Sequence, residues 1–264
     1  MTETYSNRRF LAVDQGNSFL KLSLFEDGSL SDTCRIAVAD AERIFGVVDS
    51  WRPDCGVFCT VKHLDPRIVE SLRMALGGNL LVFSHTTPLP FKVDYSTPST
   101  LGLDRLALAS GALCLYPEES VVIVDAGTAV TLDVMSYHSS VQPDACRNDA
   151  PVFLGGRIAP GIGMRFESLH HFTDALPLVN AFGELPLTGH STDTSIRSGV
   201  ILGLADEIVE TFRQYSEIYG CSRLLLTGGD AELLIKLISS RIPAVHVPDL
   251  MANGLLYIYN YNEI

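Results

Sequence analysis

Two stretches of the chain place an aspartate, a glycine and a hydroxyl-bearing residue at a bend between two apolar runs. The first, FLAVDQGNSFLKLSLF at residues 10–25, contains Asp14 and adds Lys21 after the bend. The second, VVIVDAGTAVTLDV at residues 121–134, repeats the pattern around Asp125. A tight glycine turn points backbone N–H groups outward, which is a geometry that binds anions, and phosphate is the anion we expect. The repetition indicates two similar domains that face one ligand.

A purely structural interpretation of these stretches is also open. Gly16 and Asn17 would then only close a hairpin, with Asp14 and Lys21 as solvated strand ends. Asp125 would be a buried, hydrogen-bonded strand end. Neither stretch decides between the two interpretations by itself.

Two further motifs carry the same ambiguity. Gly228 and Gly229 follow an apolar strand, so they either begin a helix or let a ligand approach a helix N-terminus. Asp104, in the sequence GLDR, lies in the first turn of a predicted helix. It either complements the helix dipole or acts on a substrate.

Strands and helices alternate along the chain in a way that positions these motifs. Three strands, a helix, a strand, a helix and a strand lead to an alanine-rich helix over residues 102–116, and a second series begins at residue 121. The order predicts an α/β fold with mixed sheets flanked by helices. We place one domain at residues 1–118 and a second at residues 119–264. Residues 85–99 are predicted to form a ligand-binding loop or flap, and residues 137–150 an exposed insertion.

Composition excludes several classes of protein. The 264 residues are 47% hydrophobic with a mean hydropathy of +0.22, enough to fill two cores. The net charge of −12 and the presence of only four lysines argue against nucleic acid as a partner. Six cysteines without zinc-ligand or C-x-x-C spacing indicate a reducing cytosol. With no signal-like apolar segment and no run near ~18 uncharged apolar residues, we expect a soluble, cytoplasmic protein without a membrane partner.

Several catalytic motifs are absent from the sequence. There is no G-x-x-x-x-G-K-[ST] phosphate loop, no H-E-x-x-H and no G-x-S-x-G, and the glycines between residues 155 and 163 do not follow the dinucleotide-binding pattern. These absences leave DQGNSFLK, GLDR, DAGTAVT, FLGGRIAPG and TGGDAE as the motifs that could carry chemistry.

The five motifs, in this order and over nearly the whole chain, resemble type III pantothenate kinase. The resemblance implies two ribonuclease-H-like domains of the acetate and sugar kinase, heat-shock ATPase and actin superfamily, with an ATP cleft between them. It implies ATP-dependent phosphorylation of pantothenate to 4′-phosphopantothenate, the first step of coenzyme A biosynthesis. Three departures from the family pattern are Ser18, where threonine is usual, Ser191, where asparagine is common before Thr192, and a longer loop at residues 137–150.

The resemblance also assigns roles to residues. Asp104 is the implied general base, Asp14 holds Mg²⁺ through water, and Asp125 binds a monovalent cation, K⁺ or NH₄⁺. The implied ATP-binding residues are Asp14, Gln15, Gly16, Asn17, Ser18, Phe19, Leu20, Lys21, Gly127, Thr128, Gly228 and Gly229. The implied pantothenate-binding residues are Tyr95, Gly102, Leu103, Asp104, Arg105, Thr173 and Thr192. The family forms homodimers, and we expect residues 170–174 to close the pocket of the neighbouring subunit.

Two alternatives to a pantothenate kinase stay open. One is a non-catalytic relative that binds nucleotide and acts as a regulatory module. The other is a kinase of the same superfamily that acts on a sugar or on acetate. The presence of Asp104, Lys21 and both glycine turns favours an enzyme.

Overall fold

The computed structural model describes residues 8–16, 19–60, 66–137 and 150–262, which form eleven strands and seven α-helices. The strands are β1 (Arg9–Gln15), β2 (Phe19–Glu26), β3 (Ser29–Ala37), β4 (Cys55–Thr60), β5 (Leu80–Val82), β6 (Lys92–Val93), β7 (Val121–Ala126), β8 (Ala129–Ser136), β9 (Val152–Pro160), β10 (Arg223–Thr227) and β11 (Ala244–His246). The helices are α1 (Ile44–Trp51), α2 (Pro66–Ala75), α3 (Leu103–Leu115), α4 (Ile162–His171), α5 (Thr192–Tyr219), α6 (Ala231–Ile238) and α7 (Leu250–Tyr261). None of these helices is long and apolar enough to cross a membrane.

The first sheet has the strand order β3-β2-β1-β4-β5. β1 pairs antiparallel with β2 and parallel with β4, so the sheet is mixed. Alternate residues of its central strands, such as Val13, Leu22 and Phe58, face a buried apolar core that also contains residues of α1 and α2. The period of two along each strand leaves the intervening residues, including Asp14 and Lys21, on the other face.

The second sheet has the order β11-β10-β7-β8-β9-β6 and is also mixed. Its core is filled by β7, β8 and β10 together with one side of α5, a helix of 28 residues. Ser191 caps α5 in a reciprocal capping box with Thr194, and Gly220 ends it in a left-handed conformation. The predicted mixed sheets flanked by helices are confirmed.

The described elements separate into two compact units that differ from the predicted domains in three segments, residues 91–95, 116–118 and 250–264. Unit 1 comprises Met1–Pro90, Ser96–Leu115 and Leu250–Ile264, and unit 2 comprises Phe91–Tyr95 and Tyr116–Asp249. The predicted second domain ended with residues 250–264, which instead belong to unit 1. The predicted loop at residues 85–99 contains β6, which pairs with β9 and brings Phe91–Tyr95 into unit 2.

Two glycines explain why α7 belongs to unit 1. A Cβ on Gly254 of α7 would lie 1.8 Å from the carbonyl oxygen of Ala107 in α3. A Cβ on Gly111 of α3 would lie 2.2 Å from the carbonyl oxygen of Leu250. The backbones of α3 and α7 therefore touch at a spacing that only glycine allows.

Candidate active site

The first predicted hairpin is formed by β1 and β2, with Asp14 directly opposite Lys21. The Gly16 amide donates to the Phe19 carbonyl oxygen at 3.0 Å and so closes the turn. Asn17 and Ser18, two of the predicted ATP-binding residues, lie outside the described residues. Because the Gly16 amide is already used within the hairpin, it is not a free donor for phosphate.

The strand pleat determines which atoms of two neighbours in this hairpin can face a ligand. Leu20 is fully buried and belongs to the apolar core of unit 1, and Gln15, its cross-strand partner, is also buried. Both side chains point away from the face that carries Asp14 and Lys21, since successive residues of a strand alternate between faces. Only the backbone atoms of Gln15 and Leu20 can therefore make the predicted contacts with ATP.

The polar residues on the face of the first sheet that carries Asp14 lie in one cross-strand row. Asp14 of β1 lies between Cys59 of β4 and Lys21 of β2, and Lys21 lies opposite Arg35 of β3. Residues in register on neighbouring strands share a face and lie side by side. The row brings the carboxylate predicted to hold Mg²⁺ next to the lysine predicted to hold phosphate. Arg35 was not identified from the sequence.

Asp104 lies in the first turn of α3, where its carboxylate is held by the backbone. Its Oδ1 atom accepts a hydrogen bond from the Arg105 amide at 2.9 Å. A Cβ on Gly102 would lie 2.3 Å from the same oxygen. Gly102 therefore provides the space that the carboxylate occupies, which gives a physical reason for the Gly-x-Asp-Arg spacing. Arg105 itself is buried, with 5% of its surface exposed.

Cys59 shows that Asp14 and Asp104 come close to the same point in unit 1. Burial raises the pKa of the Cys59 thiol well above its usual range, and the carboxylates of Asp14 and Asp104 raise it further. The two carboxylates are far apart in the sequence, but both act on one buried thiol. The predicted general base and the predicted Mg²⁺ residue therefore lie in one neighbourhood. The thiol stays protonated and unreactive.

The second predicted hairpin is formed by β7 and β8 in unit 2. The Gly127 amide donates to the Ala129 carbonyl oxygen at 3.1 Å, and the Thr128 carbonyl oxygen accepts from the Gly161 amide at 3.0 Å. A Cβ on Gly161 would lie 2.1 Å from the Gly127 carbonyl oxygen. The turn thus rests against the residue that precedes α4. As in the first hairpin, the glycine amide is engaged within the turn, which leaves Thr128 as the candidate phosphate ligand.

Asp125 lies at the end of β7, where α6 approaches it. Gly228 has a φ of +98°, and a Cβ there would lie 2.5 Å from the Asp125 Oδ1 atom. The Asp230 amide donates to the Ala126 carbonyl oxygen at 2.9 Å, which fixes the start of α6 beside β7. Burial raises the pKa of Asp230. Gly228 is required here by both its backbone conformation and the closeness of the carboxylate.

A hydroxyl that was not identified from the sequence lies beside Asp125. Thr131 of β8 is the cross-strand partner of Asp125, so the two side chains share a face. The Thr131 Oγ1 atom is buried and has no hydrogen-bond partner in the part of the chain that the structure describes. A buried polar atom without a partner commonly marks a water or ion site. Carboxylate and hydroxyl oxygens together fit an alkali cation.

Of the remaining predicted substrate residues, Leu103 is the first residue of α3 in unit 1, and the others lie in unit 2. The Tyr95 ring lies over Gly155, where a Cβ would be 2.9 Å from two of its ring carbons. Thr173 is exposed and donates to the Leu169 carbonyl oxygen at 2.7 Å, just after α4 ends. Thr192 is the exposed first residue of α5. Contact of these residues with pantothenate stays a prediction.

No group of three or more His, Cys, Asp or Glu side chains that could hold a metal ion occurs among the described residues. A hydrated Mg²⁺ does not require such a group, because it keeps most of its waters and binds mainly through substrate phosphates and one or two carboxylates. A single carboxylate, that of Asp14, is therefore sufficient for the predicted binding of hydrated Mg²⁺.

Solved structures share this fold. The chain aligns with a protein from Campylobacter jejuni described as a Baf family transcriptional activator at a TM-score of 0.60 and 22% identity, over 96% of this chain and 98% of the other. It also aligns with the activator of the 2-hydroxyisocaproyl-CoA dehydratase from Clostridium difficile at a TM-score of 0.50 and 14% identity, over 97% and 96%. At these identities the likeness shows the fold class alone, a two-domain α/β protein with mixed sheets flanked by helices.

The sequence comparisons define the family. The type III pantothenate kinase family model matches residues 10–214. Relatives named type III pantothenate kinase include one from Phocaeicola vulgatus, 35% identical over 96% of this chain and 98% of its own, and one from Porphyromonas gingivalis strain W83, 35% identical over the same shares. The chain belongs to the type III pantothenate kinase family.

Proposed function

We propose that the chain is an ATP-dependent kinase that phosphorylates pantothenate to 4′-phosphopantothenate in coenzyme A biosynthesis. The observation that carries the proposal is the Asp104 carboxylate, held by the Arg105 amide in space left by Gly102, in a chain whose family is type III pantothenate kinase. A carboxylate fixed in this way is suited to take a proton from a substrate hydroxyl.

The chemistry follows from that geometry. Asp104 accepts the proton of the primary hydroxyl of pantothenate as the hydroxyl oxygen bonds to the γ-phosphorus of ATP. The bond between the γ-phosphorus and the bridging oxygen breaks, and ADP leaves. Lys21 and Thr128 hold the phosphates, since phosphoryl transfer depends mainly on positioning and charge neutralisation. Arg105 and Tyr95 bind the anionic pantothenate.

Asp14 holds hydrated Mg²⁺, which supplies positive charge to the phosphate oxygens when it is bound. The Gly228–Gly229 segment at the start of α6 contacts the adenosine part of ATP. A glycine with positive φ exposes backbone there, so a flat ligand can approach closely.

The test of this function is a coupled ADP-release assay with pantothenate, acetate, glucose and N-acetylglucosamine as separate acceptors. Turnover with pantothenate alone is the expected result. Turnover only with a sugar or acetate would assign another substrate. Nucleotide binding without turnover on any acceptor would indicate a non-catalytic relative.

A monovalent cation, K⁺ or NH₄⁺, completes the proposed site at Asp125. The support is the unpartnered Thr131 hydroxyl beside the Asp125 carboxylate. We expect activity in Na⁺ or Tris buffer to fall well below activity in K⁺ or NH₄⁺. The Thr131→Val variant should need more K⁺ for half-maximal activity, because it loses one oxygen ligand.

The matched control for this prediction is Ser216→Ala, which removes the other buried hydroxyl without a partner in the described part of the chain. Its K⁺ dependence should equal that of the wild type. Equal rates of the wild type in all four buffers would contradict the proposal that a monovalent cation binds at Asp125.

We further propose that the enzyme works in the cytoplasm as a homodimer. The cysteines that the structure describes are free, which suits a reducing compartment.

Residues 172–187 expose large apolar side chains, with Phe172 81%, Phe182 84% and Leu187 91% exposed. Exposed apolar surface of this kind commonly marks a protein interface. The net charge of −12 makes nucleic acid an unsuitable partner.

A mixing experiment tests whether Thr173 acts on the neighbouring subunit. Asp104→Asn and Thr173→Arg should each inactivate both sites of their own homodimers. After the two variants are mixed, unfolded and refolded, about half the dimers are mixed and each has one intact site. Roughly a quarter of wild-type activity should therefore return, given two-fold symmetric pairing.

Thr173→Ser is the control, because it keeps the hydroxyl that donates to Leu169. It should retain activity without mixing. If light scattering confirms refolded dimers and no activity returns, Thr173 does not complete the partner's site, and the kinase assignment is unaffected.

A further inference from the structure

The exposed face of β2 and β3 carries two cations side by side. Lys21 and Arg35 are direct cross-strand partners, and both are exposed. Like charges in this position repel each other and destabilise a strand pair. Asp14 lies opposite Lys21 on the other side of the row, and no ion pair of Arg35 with a carboxylate occurs in the described part of the chain. A site that brings two cations together in this way is arranged for an anionic ligand.

An aromatic ring fixes the position of Arg35. Its guanidinium lies over the Phe19 ring, 3.9 Å from the ring centroid. Phe19 is two residues before Lys21 on β2, so its side chain is on the same face, and it is 38% exposed. Stacking restrains the long arginine side chain while its N–H groups stay available, and a guanidinium binds phosphate in a bidentate manner.

The position of the row indicates which anion binds. Asp14, Lys21 and Arg35 are consecutive in the row, so Arg35 extends the set of residues proposed to bind Mg²⁺ and phosphate. From this register we infer that Arg35, held by Phe19, is a second cation for the phosphate groups of bound ATP. The inference rests on the proposed kinase function and adds a binding residue to it.

The test compares Arg35→Gln with the wild type in two measurements. Calorimetric binding of a non-hydrolysable ATP analogue with Mg²⁺, without pantothenate, should weaken on the order of 10-fold, which is typical of a lost hydrogen bond to a charged group. Adenosine should bind with unchanged affinity, because it has no phosphate. In turnover assays, KM for ATP should rise by a similar factor while KM for pantothenate stays constant. Phe19→Leu should show a smaller effect in the same direction.

Arg43→Gln is the matched control. Arg43 lines a cavity together with Cys34 and Ile36, whose side chains lie on the opposite face of β3 from Arg35. This variant loses the same charge from the same unit and should bind ATP as the wild type does.

Three results separate the possibilities. Unchanged binding of the ATP analogue by Arg35→Gln would overturn the inference. An increase in KM for pantothenate alone would also overturn it and would assign Arg35 to the acceptor. A wild-type protein that binds ATP without phosphorylating pantothenate would defeat the proposed function, while the binding comparison would still decide the role of Arg35.

Discussion

Replacement of Asp104 by asparagine is expected to lower kcat by about 10²–10⁴-fold, the usual effect of losing a general base. The amide has the same shape as the carboxylate but cannot take a proton at neutral pH. Its side-chain oxygen can still accept the hydrogen bond from the Arg105 amide, so α3 keeps its first turn. Thermal stability and affinity for an ATP analogue should therefore stay near wild-type values.

The experiment measures kcat at saturating ATP and pantothenate, together with thermal unfolding of each variant. Asp49→Asn, on the exposed side of α1 in the same unit, is the control and should have wild-type turnover. A wild-type kcat for Asp104→Asn would exclude Asp104 as the base.

Replacement of Gly102 by alanine is the second variant with a large expected effect. The added Cβ would lie 2.3 Å from the Asp104 Oδ1 atom, so the carboxylate must move. Displacement of a catalytic group by about 1 Å commonly costs ~10²-fold in rate. The atom that moves is the end of a flexible side chain, and the fold should therefore keep most of its stability.

Gly46→Ala is a suitable comparison, because a Cβ at this exposed position of α1 has no atom within 4 Å. It should leave both kcat and the unfolding temperature close to wild type. The prediction for Gly102→Ala separates activity from stability. A retained kcat would show that Gly102 is not needed to position the Asp104 carboxylate. A loss of kcat that only matches the fraction of unfolded protein would show the same.

Local patterns were sufficient to predict the two hairpins from the sequence. The signal for a hairpin, alternating apolar residues around a glycine bend, is contained in about 15 consecutive residues. The hairpins β1–β2 and β7–β8 form as expected. The bounds of the two units could not be predicted from local sequence patterns. It depends on contacts of α7 with α3 and of β6 with β9, which join segments far apart in the sequence.

The same distinction holds for the candidate site. The motif GLDR identified Asp104 through family resemblance, but the role of Gly102 is visible only when the distance to the carboxylate is known. Arg35 and Thr131 lie in unremarkable strand sequences. They are candidates for the site because they are in register with Lys21 and Asp125, and register depends on pairing between strands rather than on either strand alone.

The glycine contact between α3 and α7 has a consequence for the order in which the protein is made. During synthesis the ribosome releases all of unit 2 before Leu250–Tyr261 emerges, so unit 2 can fold while unit 1 still lacks α7. The helix that carries Asp104 receives its packing partner only then. The nascent chain can therefore form the β7–β8 hairpin before α3 gains the packing partner that completes unit 1.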